Sequence, residues 1–161
     1  MSIFFSGSEL LGIAMGIERN GVAFYQALAD KAQNNDIKAT YNYLVDQEKN
    51  HLELFHGMLS SVGEYKPPEA YAEEYMLYLK SLIDNRVFAD PTEAKQKAEK
   101  ISDVTEALDT GIQAEKDSIL FYSEMLNLVK DADRQVLNNV IDEEKRHVRR
   151  LYEIKQIVQK R

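Results

Sequence analysis

At 161 residues the chain is long enough to bury one sizeable core, and its net charge of −7, with no basic block to offset it, argues against nucleic acid, whose phosphates it would repel. The absence of cysteine excludes disulfides, thiolate chemistry, iron–sulfur ligation and a cysteine-built zinc site. Glycine (7) and proline (3) are scarce while Ala, Glu, Lys and Leu are plentiful, which favours helices; with no apolar run near the roughly 18 residues of a membrane span and no basic-then-apolar N-terminal leader, the expectation is a cytoplasmic protein, one domain over residues 1–161, with no membrane partner.

The first predicted helix runs from about Ser8 to Gln33, with Ser6 and Glu9 spaced as a capping box. Its stripe at spacings of three and four is Leu11, Ala14, Glu18, Gly21, Tyr25, Leu28 and Ala32. Asn34-Asn35-Asp36 then turns the chain into a second helix with the stripe Tyr41, Leu44, Glu48, His51, Phe55, Met58 and Val62, which Pro67-Pro68 ends. Ala70 to Ile83, rich in aromatics, predicts a short helix. Asp90-Pro91-Thr92-Glu93 reads as N-cap, proline at the first helical position and capping-box acid, opening another short helix to about Lys100. A third long helix follows from about Thr105 to Val129, with Leu108, Gly111, Glu115, Ser118, Tyr122, Met125 and Val129 inward. Lys130 to Asp133 links it to the fourth, for which Asp131 is the predicted N-cap and whose stripe is Leu137, Val140, Glu144, His147, Leu151, Ile154 and Val158.

The chain repeats itself. The first and third stripes match in size class at nearly every step, 97 residues apart, with glutamate and tyrosine identical; the second and fourth match at an offset of 96. Short links make each pair of long helices an antiparallel hairpin. About 40 residues separate the hairpins, enough to retrace a helix of about 25 residues, which is roughly 37 Å long. The expected architecture is all-α: a four-helix bundle of two antiparallel hairpins joined by one long crossover that contains short helices.

Glu18, Glu48, Glu115 and Glu144 fall where leucine would be expected. A carboxylate in a dry interior costs several kcal/mol, and four together repel one another. No lysine or arginine lies on the inward stripes to neutralise them. Two divalent cations would. Glu48-x-x-His51 and Glu144-x-x-His147 each stack a carboxylate and an imidazole on one helix face. Each half therefore offers an end carboxylate (Glu18 or Glu115), a bridging carboxylate (Glu48 or Glu144) and one imidazole (His51 or His147). This oxygen-rich set suits iron or manganese, with zinc as a further candidate, and is too rich in carboxylate for structural zinc. The outer ring nitrogens need partners that the sequence does not identify.

A lone Glu-x-x-His is usually a solvated pair, and two copies on matched apolar stripes are not. His56 lies off the stripe and reads as a surface residue. Glu143 is spaced to pair with His147, but its repeat counterpart is Gln47, which weakens a ligand role. Lys49 and Lys145 are expected to face solvent. Tyr25 and Tyr122 read as core aromatics or as phenol donors to the ligating carboxylates, and the two are compatible. Gly21 and Ser118 leave room for dioxygen, peroxide or solvent, or simply allow close packing. Tyr71, Tyr75 and Tyr78 line a subunit contact or seal the bundle's side.

These residues resemble the ferritin-like di-iron carboxylate proteins and, within them, the rubrerythrin family. The similarity spans about residues 8 to 160 and is carried by Gly16-Ile17-Glu18, Asp46-Gln47-Glu48-Lys49-Asn50-His51, Ala114-Glu115, Asp142-Glu143-Glu144-Lys145-Arg146-His147 and the phrase from Glu18 to Tyr25. The resemblance implies a di-iron oxidoreductase acting on peroxide or dioxygen, and a homodimer. Rubrerythrins proper carry a cysteine-held iron domain; with no cysteine here, the expected electron source is a separate donor protein. Ser118 stands where rubrerythrins have a second glutamate one turn after the third-helix ligand. No catalytic group beyond the ligands is assigned. The alternatives are a ferroxidase or iron-storage protein, which needs a closed multi-subunit shell, and a non-catalytic, metal-stabilised interaction bundle.

Overall fold

A computed structural model describes residues 7–62, 73–127 and 129–161. Its helices are α1 (Gly7–Lys31), α2 (Asn35–Val62), α3 (Glu73–Asp84), α4 (Pro91–Lys100), α5 (Val104–Met125) and α6 (Asp131–Gln159). Helices are the only regular elements among the described residues, and α1/α2 and α5/α6 form the two packed hairpins that the repeat predicts. Ser6 of the first capping box, Pro67-Pro68, the start of the short helix at Ala70, and Tyr71 lie outside the described residues.

Local chemistry sets the helix starts. The Asn34 side-chain oxygen accepts from the N–H groups of Asp36 and Ile37 at 2.9 and 3.1 Å, satisfying donors that the first turn of α2 leaves free. Asp90 caps α4 as predicted, accepting from Glu93 N–H at 2.8 Å, with Pro91 in the first turn. The reciprocal acceptance by Glu93 is from Ala89 N–H at 3.1 Å, one residue before the cap. Asp103 caps α5 through the N–H groups of Thr105 and Glu106. Two expectations are corrected. The N-cap of α6 is Lys130, with no side-chain capping bond, and Asp131 already lies in the first turn, where its charge meets the positive end of the helix. The third long helix stops at Met125, about a turn before Val129.

The crossover lies against the bundle, α4 on α1 and α3 on α5. Its bend is pinned by backbone groups: Asn20 donates to the Phe88 carbonyl at 3.1 Å, and Asp117 accepts from Val87 N–H at 3.2 Å. The Arg86 guanidinium donates to the carbonyls of Ile83, Phe88 and Ala89. Phe88 packs on Phe24, with ring centroids 4.7 Å apart. Tyr75 is half-buried and its phenol donates to Glu124 on α5, so it helps seal the side of the bundle, whereas Tyr78 faces outward.

Two apolar clusters fill the bundle. One holds Leu11, Ala14, Phe55, Met58, Met125 and Val140; the other holds Leu28, Tyr41, Leu44, Ala107, Leu108 and Leu151. Along each long helix the acid, or acid and imidazole, falls between the members of the two clusters, so the core is cut at mid-height by a polar layer. Among the described residues no helix is long and apolar enough to cross a membrane.

Candidate metal centre

Each long helix delivers its stripe to this layer: Glu18 from α1, Glu48 and His51 from α2, Glu115 from α5, Glu144 and His147 from α6. None of the six is more than 4% exposed. They fall into two overlapping sets, Glu18, Glu48, His51 and Glu144 in one, and Glu48, Glu115, Glu144 and His147 in the other. Within each set, one ligand atom from every residue lies within 4.8 Å of the others. Glu48 and Glu144 belong to both sets, Glu18 and Glu115 to one each, matching the division into bridging and end carboxylates.

Around His51 the lone pairs converge on a shared point rather than on hydrogen-bond partners. His51 Nδ1 lies 2.9 Å from Glu144 Oε1 and 3.5 Å from Glu18 Oε2. Yet none of these three atoms, nor Glu48 Oε1, has a hydrogen bond. Buried polar atoms are normally paired, so a group of orphans aimed at one another marks a site built for a cation. His147 presents the same nitrogen, Nδ1, to Glu144, Glu48 and Glu115 at 3.1, 3.4 and 3.6 Å. The two imidazoles stack, with centroids 5.5 Å apart.

Protonation shows how the layer balances its charge without an ion. Burial, then the neighbouring Glu48 and Glu115, pushes Glu144 up to about 8. Burial likewise raises Glu18, with Glu144 adding to it, and raises Glu48 further, with Glu18 and Glu115 adding. Burial alone would raise Glu115 too, but contacts from Glu144, His147 and Tyr25 outweigh it and the carboxyl falls below its ordinary range. For His51 burial favours the neutral ring, yet Glu144 and Glu18 overcome it and lift the imidazole to about 12; His147 is raised in the same way by Glu115, Glu144 and Glu48. These shifts favour protons in the layer, the same sign of charge that cations would supply.

The tyrosines are donors, and they cross the bundle. Tyr25 of α1 donates to Glu115 of α5, and Tyr122 of α5 donates to Glu18 of α1. Each phenol holds the end carboxylate of the other half. Burial first, and these carboxylates next, raise both phenols well above their ordinary value, so they stay protonated. Gly111 leaves space for this: a Cβ there would lie 3.2 Å from the Tyr25 hydroxyl. Gly21 does the same for Glu48, whose Cγ would sit 3.1 Å from an added Cβ. Beside these groups lies a cavity of about 30 Å³, lined by Gly21, Phe24, Glu48, Glu115, Ser118 and Phe121 and by Val87 and Phe88 of the crossover.

Residues 9–155 match the rubrerythrin family. The chain belongs to that family. Its fold matches a crystal structure from Thermotoga maritima described as a ferritin-like diiron-carboxylate protein, with a TM-score of 0.71, 31% identity, and coverage of 95% of this chain and 96% of that one. A hypothetical protein from Pyrococcus furiosus matches with a TM-score of 0.70 and 22% identity over 97% of this chain and 92% of that one, a likeness of fold alone. No curated protein matches the chain. Rubrerythrin-family membership and the buried Glu/His cluster together indicate a di-metal site, of the kind that typically holds iron.

In this rubrerythrin-family chain, all six candidate ligands and both tyrosines meet at one level, and His56 is exposed, as expected. Glu143, whose spacing allowed a pair with His147 but whose ligand role Gln47 weakened, lies outside both ligand sets and pairs with His51. It reaches the other hairpin, and its Oε2 lies 2.7 Å from His51 Nε2. The absence of a glutamate at Gln47 was the signal that the two halves differ. Nothing in the spacing pointed to Asn20, which joins the layer to the crossover.

Proposed function

We propose that this chain binds two iron ions and reduces peroxide or dioxygen, with electrons from a separate donor protein. The observation that carries this reading is the convergence of buried carboxylate and imidazole atoms in two overlapping sets, with Glu18 Oε2, Glu48 Oε1, His51 Nδ1 and Glu144 Oε1 lacking a hydrogen bond. Carboxylate-rich ligation with one nitrogen per ion suits iron. Glu48 and Glu144 would bridge, Glu18 and Glu115 would close the ends, and His51 and His147 would each supply Nδ1. A pair of bound iron ions supplies two electrons and Lewis acidity for cleaving an O–O bond.

The protein's own part is placement. Tyr25 and Tyr122 hold the end carboxylates in orientation and keep their protons, since burial disfavours phenolate. The cavity beside Glu48 and Glu115 is about 30 Å³, room for one or two water-sized molecules, which suits a two-atom oxidant. Phe24 and Phe121 give it apolar walls beside the carboxylates. Peroxide reduction takes up two electrons and two protons and releases two waters. This chain has no cysteine with which to hold an iron–sulfur relay, so the electrons arrive from another protein.

The test is peroxide consumption by iron-loaded protein with a supplied reductant. Glu48→Ala and His147→Ala should lower the rate to that of metal-free protein. Variants that fold, bind no iron and turn over peroxide at the wild-type rate would refute the reading.

A further inference from the structure

The geometry points to two ion positions that are not equivalent: the position served by His51 fills first and holds its ion more tightly, because Glu143 backs His51 whereas, among the described residues, no side chain accepts from the outer nitrogen of His147. This rests on the di-metal reading above and deepens it.

His51 and His147 occupy matching places in the repeat and present the same inner nitrogen to the carboxylates. Their outer nitrogens face different surroundings. His51 Nε2 lies 2.7 Å from Glu143 Oε2, a carboxylate that reaches over from α6. A carboxylate accepting the outer N–H fixes the tautomer with Nδ1 free, orients the ring and makes Nδ1 a stronger donor. His147 Nε2 is buried and has no hydrogen-bond partner among the described residues. The residue that matches Glu143 in the other half is Gln47, which carries no charge. The ring that packs edge-on against His147 is Tyr43, with centroids 6.3 Å apart, and on Tyr43 sits the Arg150 guanidinium, 4.4 Å from the ring centre. An acid therefore stands behind one imidazole, and an aromatic ring with a cation on it stands beside the other. Loss of such an outer partner typically weakens metal binding about 10- to 100-fold, which sets the expected difference in affinity. Glu143 is thus a positioning residue that acts through His51.

Two bridging carboxylates would make any second ion bind more weakly than the first, so a two-step titration alone does not report the asymmetry. The position of the first ion does. Crystals of metal-free protein soaked with limiting manganese should show anomalous scattering concentrated between Glu18, His51 and the bridging carboxylates. In Glu143→Gln the first affinity, read by titration calorimetry with manganese, should fall about 10- to 100-fold, and the anomalous peaks should even out. Gln47→Glu should shift occupancy toward His147. Equal peaks in the wild type, or a first affinity unmoved in Glu143→Gln, would overturn the inference and leave the di-metal reading standing. Absence of manganese from both positions at saturation would overturn both.

Discussion

Glu144 and His51 show what it means for a residue to be chosen for a cation. Without an ion the folded chain binds more protons than the unfolded one. The Glu144 carboxyl rises from 4.5 to about 8, and His51 rises from 6.5 to about 12. Glu18, Glu48 and His147 shift the same way. A group whose proton is held more tightly in the folded state contributes stability at low pH and loses it as pH climbs from the unfolded value to the folded one. Glu115 is shifted down and works oppositely, but its contribution is complete once the pH exceeds its ordinary carboxyl range of about 4.5. The metal-free protein should therefore melt at progressively lower temperature as pH rises from about 5 to about 9. Metal binding should strengthen over the same range, because the ligands must shed those protons. Calorimetric scans of chelator-treated protein across that range check the first statement; a flat or rising profile would show that the layer is not protonated as the geometry requires.

The helices are built by cooperation between stripe and cap. Each long helix buries one face, and its ends are fixed by local polar groups such as Asn34 for α2 and Asp103 for α5. In α4 the apolar face is small, limited to Ala94 and Ala98, so its cap carries more of the weight. Asp90→Ala removes the acceptor for Glu93 N–H and should lower global stability by about 1 kcal/mol in urea denaturation. Metal stoichiometry should be unchanged, because α4 contributes no residue to the metal layer. A larger loss would mean that α4 helps to hold α1 in register with the ligands. That link has a structural basis, since Lys31 at the end of α1 donates to the Ile101 carbonyl just after α4.

The bundle as a whole is two apolar cores separated by a layer that opposes folding unless it is neutralised. Ion binding to the folded state alone adds stability by mass action, about 2.7 kcal/mol for each ion present at a hundred times its dissociation constant. For a chain of this size each kcal/mol raises the melting temperature by roughly 2–4 °C. Loading both positions with manganese or iron should thus raise the midpoint by about 10 °C or more over chelated protein, as scanning calorimetry would show. Equal midpoints would mean that no ion enters the layer. The crossover belongs to this scale as well. Its bend at Val87 and Phe88, pinned by Asn20 and Asp117, lines the small cavity beside Glu48.

The sequence alone determined the helices, their pairing into hairpins and the six side chains at mid-height. All of these follow from spacing along one chain: apolar residues at three and four keep a face dry, and an acid on that face stands out whatever the neighbouring helix does. Asp90 could be read as a cap because a cap bonds within its own turn. Tertiary structure decided what lies across from what. That Tyr25 bonds Glu115 and not a carboxylate of its own helix, that Glu143 backs His51 while His147 Nε2 has no hydrogen bond among the described residues, and that Gly21 makes room for Glu48 all depend on the rotation and height of one helix against another. Those are fixed only when the apolar faces interlock, and no periodicity within a single helix encodes them.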